Sequence, residues 1–260
     1  MTEFETISVA QDGPITRLTL NRPEVLNAID ARMLREVRAV LATAVADPDA
    51  RVVLVDHAGT RAFSAGIDVA YVKDMQGLAS REIGRELHRT FLALRTTEIP
   101  VVCAIDGLCL GAGLEFAVSC DLMIASDRSR FGLPNIHRGI PAIVEAAILP
   151  AAIGLQGARE MAYLGDFWDA DKAERRGLLQ AVLPAAELDE YATGVCLKLA
   201  EKSPLALGTQ KEIIHKWMTT DLESAIDFSI NTVTLNFSSR DQKEGMDAFI
   251  AKRPAEFTGH

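Results

Sequence analysis

Basic residues are in short supply in this chain: 27 Lys and Arg stand against 36 Asp and Glu, leaving a formal charge of -9. That balance argues against a nucleic-acid partner, because gripping phosphates needs a net basic face. Cysteine is scarce as well. Cys103, Cys109, Cys120 and Cys196 show neither CxxC spacing nor nearby histidines, so they read as core thiols rather than as disulfides or metal ligands. Long apolar runs are missing too. The stretch MTEFETISVAQD is acidic and lacks the apolar segment of a signal peptide, and the most apolar later stretch, 139–155, is broken by Glu145 and Pro150. These features predict a cytoplasmic protein with no membrane partner. In that setting the Asn-Phe-Ser triplet at Asn236 carries no glycan. Repeats, low-complexity tracts and long linkers are also lacking.

What remains is the composition of a globular protein built for small-molecule chemistry, 48% apolar and 24% charged over 260 residues, long enough to bury a real core. Residues 6–10 and 15–20 alternate on either side of Asp12-Gly13-Pro14, which reads as a hairpin. From Asp30, a plausible N-cap, apolar residues recur at helical spacing until Asp47-Pro48, and 52–55 forms the next buried strand. This alternation predicts an α/β core. Ser80 to Arg95 reads as an amphipathic helix, with His88 beside its apolar face in a structural role. Residues 130–136 form a turn-bearing segment leading to an apolar helix from about Ala142, in which Glu145 is the sole charge. His57 and His137 read as loop histidines, not metal ligands. Asp169 caps a short helix ended by Gly177, and 179–183 forms a strand. Helices then run over about 186–201, 204–218, 221–236 and 241–251, a helical region appended to the core.

Two stretches of small residues carry the chemistry. In the first, Ser64, Ala65 and Gly66 bring the backbone into the open after a strand. In the second, the buried strand 101–105 leads to Gly111, Ala112 and Gly113 and then to a helix over 114–120. With so little side chain, backbone N–H groups there can touch a ligand, at a helix start that favours developing negative charge. If the loops converge, the N–H groups of Ile67 and Ala112 grip one oxygen from two sides. Glu115 follows among apolar neighbours, where a carboxylate is costly unless used or paired. Taken alone, it reads equally as a first-turn acid complementing the helix dipole. A dinucleotide fingerprint is disfavoured, because that pattern needs glycine where this chain has Phe116.

LNRPEVLNAI at 20–29, AFSAGID at 62–68, PVVCAIDGLCLGAGLEFAVSCDL at 100–122, FGLPNIHRGIP at 131–141 and GMDAFIAKRP at 245–254 occur in that order. Together they make the chain resemble the crotonase, or enoyl-CoA hydratase/isomerase, superfamily over nearly its whole length. The resemblance implies an α/β spiral of ββα repeats spanning 1–200. Residues 201–260 would be a C-terminal helical region that covers the CoA and mediates a homotrimer or a dimer of trimers. It implies an acyl-CoA thioester substrate and no separate cofactor. Its carbonyl would be held by Ile67 and Ala112, with Glu115 as general acid/base. Arg22, Val25, Ala65, Gly66, Asp68, Gly111, Phe249 and Lys252 match positions around the substrate and its CoA portion, Arg22 being equally a structural residue. Where many relatives carry a basic residue three positions after Ile67, this chain has Ala70, with Lys73 nearby.

One departure bears on the reaction. The family's second glutamate is replaced by Asn135, and an amide can orient water but cannot carry a proton. Glu145 is either a substitute carboxylate or half of a structural pair. The leading expectation is a hydratase or double-bond isomerase; decarboxylation or hydrolysis of an acyl-CoA, or acyl-CoA binding without turnover, are the alternatives.

Overall fold

The computed structural model describes residues 4–259. A hairpin opens the chain, β1 (Ile7–Asp12) pairing antiparallel with β2 (Ile15–Leu20). Helix α1 (Ala31–Ala46) follows, its first turn capped by Asp30, whose carboxylate accepts from Met33 N at 2.9 Å. Its apolar face, including Met33, Leu34, Val37 and Leu41, is buried.

A repeating unit then sets the architecture. β3 (Val52–His57), β4 (Ala62–Ser64) and α3 (Leu78–Thr96) form one strand-strand-helix turn, with the short α2 (Val69–Val72) inserted before α3. β5 (Val101–Ile105), β6 (Leu108–Leu110) and α4 (Ala112–Ala117) form the next, and β7 (Leu122–Ser126) and β8 (Arg130–Gly132) begin a third, completed by α5 (Leu149–Leu164). The first strand of each turn joins one sheet and the second joins another. The larger sheet runs β1-β2-β3-β5-β7-β10, where β10 is Ala181–Leu183, and the smaller runs β4-β6-β8-β9, where β9 is Trp168–Asp169. β3, β5 and β7 pair in parallel, as do β4, β6 and β8. All five residues of β5 are buried, as its unbroken apolar run predicts.

Between the sheets and the helices lies the main core, in which Phe116 of α4 meets Phe63 and Phe91 edge-on at centroid distances of 6.1 and 6.0 Å. The other face of the larger sheet is covered by α7 (Leu188–Ala200), through Leu188, Ala192 and Cys196. All four cysteines are buried free thiols. Short α6 (Ala170–Arg175) starts on Asp169, which accepts from Lys172 N. The chain ends in α8 (Pro204–Thr219), α9 (Leu222–Asn236) and α10 (Arg240–Ala251). α8 is tied to the core by Lys211, whose buried ammonium donates to Leu94 O, Ile99 O and Asp121 Oδ2 at 3.0, 3.1 and 2.7 Å. Among the described residues no helix is long and apolar enough to cross a membrane.

One expected helix moves. Residues 142–144 are not helical; Glu145–Ile148 is a 3-10 turn, and the α-helix begins only at Leu149. Pro150 explains the start, since proline lacks an N–H and is tolerated only in a helix's first turn.

Candidate active site

The small-residue loops converge because of the smaller sheet. β4, β6 and β8 are adjacent parallel strands, so the chain leaves all three at the same edge, where the carboxyl ends of parallel strands typically present a ligand site. The segment after β4 carries Ala65, Gly66 and Ile67; that after β6 carries Gly111 and Ala112; that after β8 reaches Asn135 in the 3-10 turn Pro134–Arg138.

Contact between the first two loops is close. A Cβ on Gly66 would stand 2.9 Å from Leu110 O and 3.3 Å from Ala112 N, and the residue's φ of +100° disfavours a side chain in any case. Gly113 is equally constrained, for a Cβ there would lie 2.7 Å from Ser64 Cβ. Asn135 closes the third side, its Oδ1 3.2 Å from where a Gly111 Cβ would be. The N–H groups of Ile67 and Ala112 donate to no backbone or side-chain acceptor among the described residues.

A rigid frame holds the first loop. Asn27, fully buried with φ +51°, donates to Ala58 O and Ala62 O at 3.0 and 2.9 Å and accepts from Arg22 N at 2.8 Å. Ser64 Oγ donates to Asn27 O and accepts from Gly66 N. The Arg22 guanidinium donates to Ala28 O at 2.6 Å and to Asp68 Oδ2 at 3.0 Å and pairs with Asp30, while Asp68 also caps α2 through Ala70 N. Sequence reasoning missed Asn27, although an asparagine amid this polar-apolar motif is a residue type that tolerates left-handed backbone.

Glu115 sits on the first turn of α4 and is only 3% exposed. Burial pushes its carboxyl from the ordinary 4.5 up to about 7, and the nearby charge of Glu145 adds to the rise, against the opposing pull of main-chain N–H groups at 143–145. Of these, Glu145 N donates to Glu115 Oε2 at 3.2 Å. The Glu145 side chain is also 3% exposed; its Oε1 meets His88 Nδ1 at 2.9 Å and Arg95 at 2.8 Å, while its Oε2 has no partner. His88 and Arg95, both on α3, were thus overlooked as neighbours of the site. Their helical spacing marks one face of α3, but nothing in it points to residue 145.

The structure brings Ile67, Ala112, Glu115, Asn135 and Glu145 to one region. Val25 lies in a 3-10 turn on the first-loop frame and is half-exposed. Phe249 and Lys252 lie far along the chain at the end of α10, with Phe249 82% exposed and Lys252 in the left-handed cap position. No cluster of three or more His, Cys, Asp or Glu residues is arranged to hold a metal among the described residues.

Two free N–H donors beside a carboxyl poised near neutrality suit an oxyanion and a mobile proton. Comparison with known proteins places the whole chain: the enoyl-CoA hydratase/isomerase family profile matches residues 10–260. The chain belongs to that family. A short-chain-enoyl-CoA hydratase of Clostridium acetobutylicum is 32% identical over 98% of both chains, and a probable enoyl-CoA hydratase of Rhizobium meliloti is 36% identical, again over 98% of both. Among solved structures, an enoyl-CoA hydratase from Bacillus anthracis superposes with a TM-score of 0.94 at 28% identity, covering 98% of this chain and 100% of its own. A second, from Geobacillus kaustophilus, gives 0.93 at 33% identity with full coverage of both. As a member of the enoyl-CoA hydratase/isomerase family, the chain takes the crotonase fold expected of the spiral of strand-strand-helix turns.

Proposed function

We propose that this protein adds water to, or shifts the double bond of, a 2-enoyl or dienoyl thioester of coenzyme A. What supports the reading is the close approach of Gly66 to Leu110 O and Ala112 N, with the Ile67 and Ala112 N–H groups unengaged and the buried Glu115 carboxyl, one turn into α4, held near neutrality. In hydration the water oxygen bonds to C3 and the electron pair of the double bond moves towards the thioester. The oxygen then gains negative charge between the two N–H groups, each such donor contributing on the order of 3 kcal/mol to the transition state. Glu115 takes the proton that water releases and delivers it to C2, so that it ends as it began. Asn135 orients the water. For isomerisation the same carboxylate removes one carbon-bound proton and returns it elsewhere on the chain.

Coenzyme A enters as part of the substrate, and no other cofactor is required by these steps. Val25, Ala65, Gly66, Asp68 and Gly111 would line the thioester and pantetheine path, with Arg22 holding its wall. Phe249 and Lys252 would meet the nucleotide end, in the helical region beyond residue 200 that also carries the subunit contacts of a trimer or a pair of trimers. Support for that assembly comes from the apolar side chains left open on α8 to α10. Residues 1–200 would then be the catalytic core, working in the cytoplasm.

The test is a panel of short- and medium-chain 2-enoyl-CoA esters followed by loss of the conjugated enoyl absorbance, with malonyl-type and saturated esters alongside. Turnover of an enoyl ester is expected. Tight binding with no turnover of any ester would leave an acyl-CoA-binding protein, and turnover of only the malonyl-type or saturated esters would move the chemistry to decarboxylation or hydrolysis.

A further inference from the structure

We infer that Arg95, His88 and Glu145 form a positioning unit that holds the Glu115 carboxyl in place and fixes the charge it faces, so that residue 145 acts through residue 115. The inference rests on reading Glu115 as the proton carrier. Its geometry is a chain of contacts: Arg95 at 2.8 Å and His88 Nδ1 at 2.9 Å both seize Glu145 Oε1, and the Glu145 main-chain N–H reaches Glu115 Oε2 at 3.2 Å. Two residues of one helix thereby anchor the turn that cradles the carboxyl on another.

A second buried ion pair in the same molecule shows what a purely structural pair looks like here. Lys211 spends all three of its donors, on Leu94 O, Ile99 O and Asp121 Oδ2, and that same Asp121 oxygen accepts from Val101 N. The Arg95–Glu145 pair is built differently. Arg95 Nε and Glu145 Oε2 are both buried with no partner. Leaving such atoms unsatisfied is unfavourable, and a buried ion pair is weak support for stability in any case. The pair therefore makes sense as a charge placed for a neighbour. The titratable and charged groups around it are Glu115 from α4, His88 and Arg95 from α3, and His215 from α8, which senses the charge of Arg95. The charge of Glu145 favours the protonated form of Glu115, and the Arg95 guanidinium on Glu145 Oε1 is placed to offset that charge.

A readout independent of catalysis tests this: the titration of the Glu115 carboxyl in protein carrying carbon-13 glutamate, its resonance assigned by its loss in Glu115→Gln. Glu145→Gln, which keeps the shape and removes the charge, is expected to move the midpoint down by about one pH unit. Arg95→Gln is expected to move it up by a comparable amount, with Arg95→Lys falling between Gln and the unsubstituted protein. If Arg95→Gln fails to fold, the double variant Arg95→Gln/Glu145→Gln serves in its place, with a midpoint close to the starting one because both charges are gone. An unmoved or raised midpoint in Glu145→Gln would overturn the proposal. So would a double variant whose midpoint matches Glu145→Gln alone. Absence of enoyl-CoA turnover in the unsubstituted protein would remove the functional reading and leave these shifts standing, whereas an active enzyme with an unmoved Glu115 midpoint would do the reverse.

Discussion

Around Ile67 and Ala112 the backbone is tied down atom by atom, through Asn27, Ser64 and Arg22, and what remains unengaged is polar: two N–H groups and a carboxylate oxygen. On α8 to α10 the opposite holds. Only Ala225 of the fifteen residues of α9 is buried, while Ile230, Leu235, Phe249 and Ile250 stand 62–82% exposed. Unused hydrogen-bonding capacity in a rigid frame suits a small polar group with a defined position. Unused apolar area on a helical surface suits another protein surface. One molecule thus carries two incomplete regions, and the kind of group left over indicates what completes each.

The comparison breaks most sharply at Glu115. Glu115→Gln is expected to lower kcat by about a thousandfold while leaving the Kd for a CoA ester near its original value, since an amide fills the same space but transfers no proton. Wild-type turnover in that variant would reduce Glu115 to a first-turn acid. The same substitution carries a stability signature of opposite sign. The folded carboxyl binds its proton more tightly than the unfolded one, so the native state loses stability as pH rises from 4.5 towards 7. Gln escapes that loss. Chemical denaturation is therefore expected to show the variant more stable by up to about 3 kcal/mol at pH 8 and no gain at pH 4; equal stability at both would mean that the carboxyl is not held near 7.

Next in size is the contact between the loops. Gly66→Ala must open the approach to Leu110 O and Ala112 N and place alanine at φ +100°, so a fall in kcat of about a hundredfold is expected, accompanied by a loss of about 2 kcal/mol in stability. A variant that loses stability but keeps its rate would show that the loops merely pack together.

Most of the architecture was legible because its elements carry strong local signals. The apolar periodicity and Asp30 cap of α1, the unbroken run of β5 and the caps of α6 and of α8 to α10 each specify their own element without help from elsewhere. The smaller sheet was not legible. β4, β6 and β8 are three residues each, too short for any period to show, and only their parallel pairing reveals that three loops leave by one edge. The two small-residue loops could be picked out from glycine alone, but the ion pair that holds Glu145 could not. His88 and Arg95 lie 57 and 50 residues from it, and no local pattern links them. The shifted start of α5 has a local cause that Pro150 already carried, outweighed by the apolar run before it.

The apolar side of the comparison is tested by charge. Ile230→Glu/Leu235→Glu places two carboxylates on the open face of α9 and, if the proposed trimer or pair of trimers forms through it, is expected to lower the sedimenting mass to that of one chain, with the helical content retained. An unchanged mass would place the contacts between subunits on a different surface.

The smallest effect expected is also the one that reads most finely within the polar region. Asn135 approaches the second loop from the end of β8, its Oδ1 3.2 Å from the space above Gly111, the residue that leads into α4 and its Glu115. Asn135→Glu supplies a second proton-transferring group and is expected to raise hydration of short 2-enoyl-CoA about tenfold, with isomerisation unchanged because that reaction needs only one carboxylate. A gain in hydration alone would locate the water beside residue 135. If neither rate rises, the pocket around Gly111 is shaped for chemistry that needs an amide there; in that case the like charge brought near Glu115 and Glu145 should show instead as a higher acid limb in the pH profile of kcat.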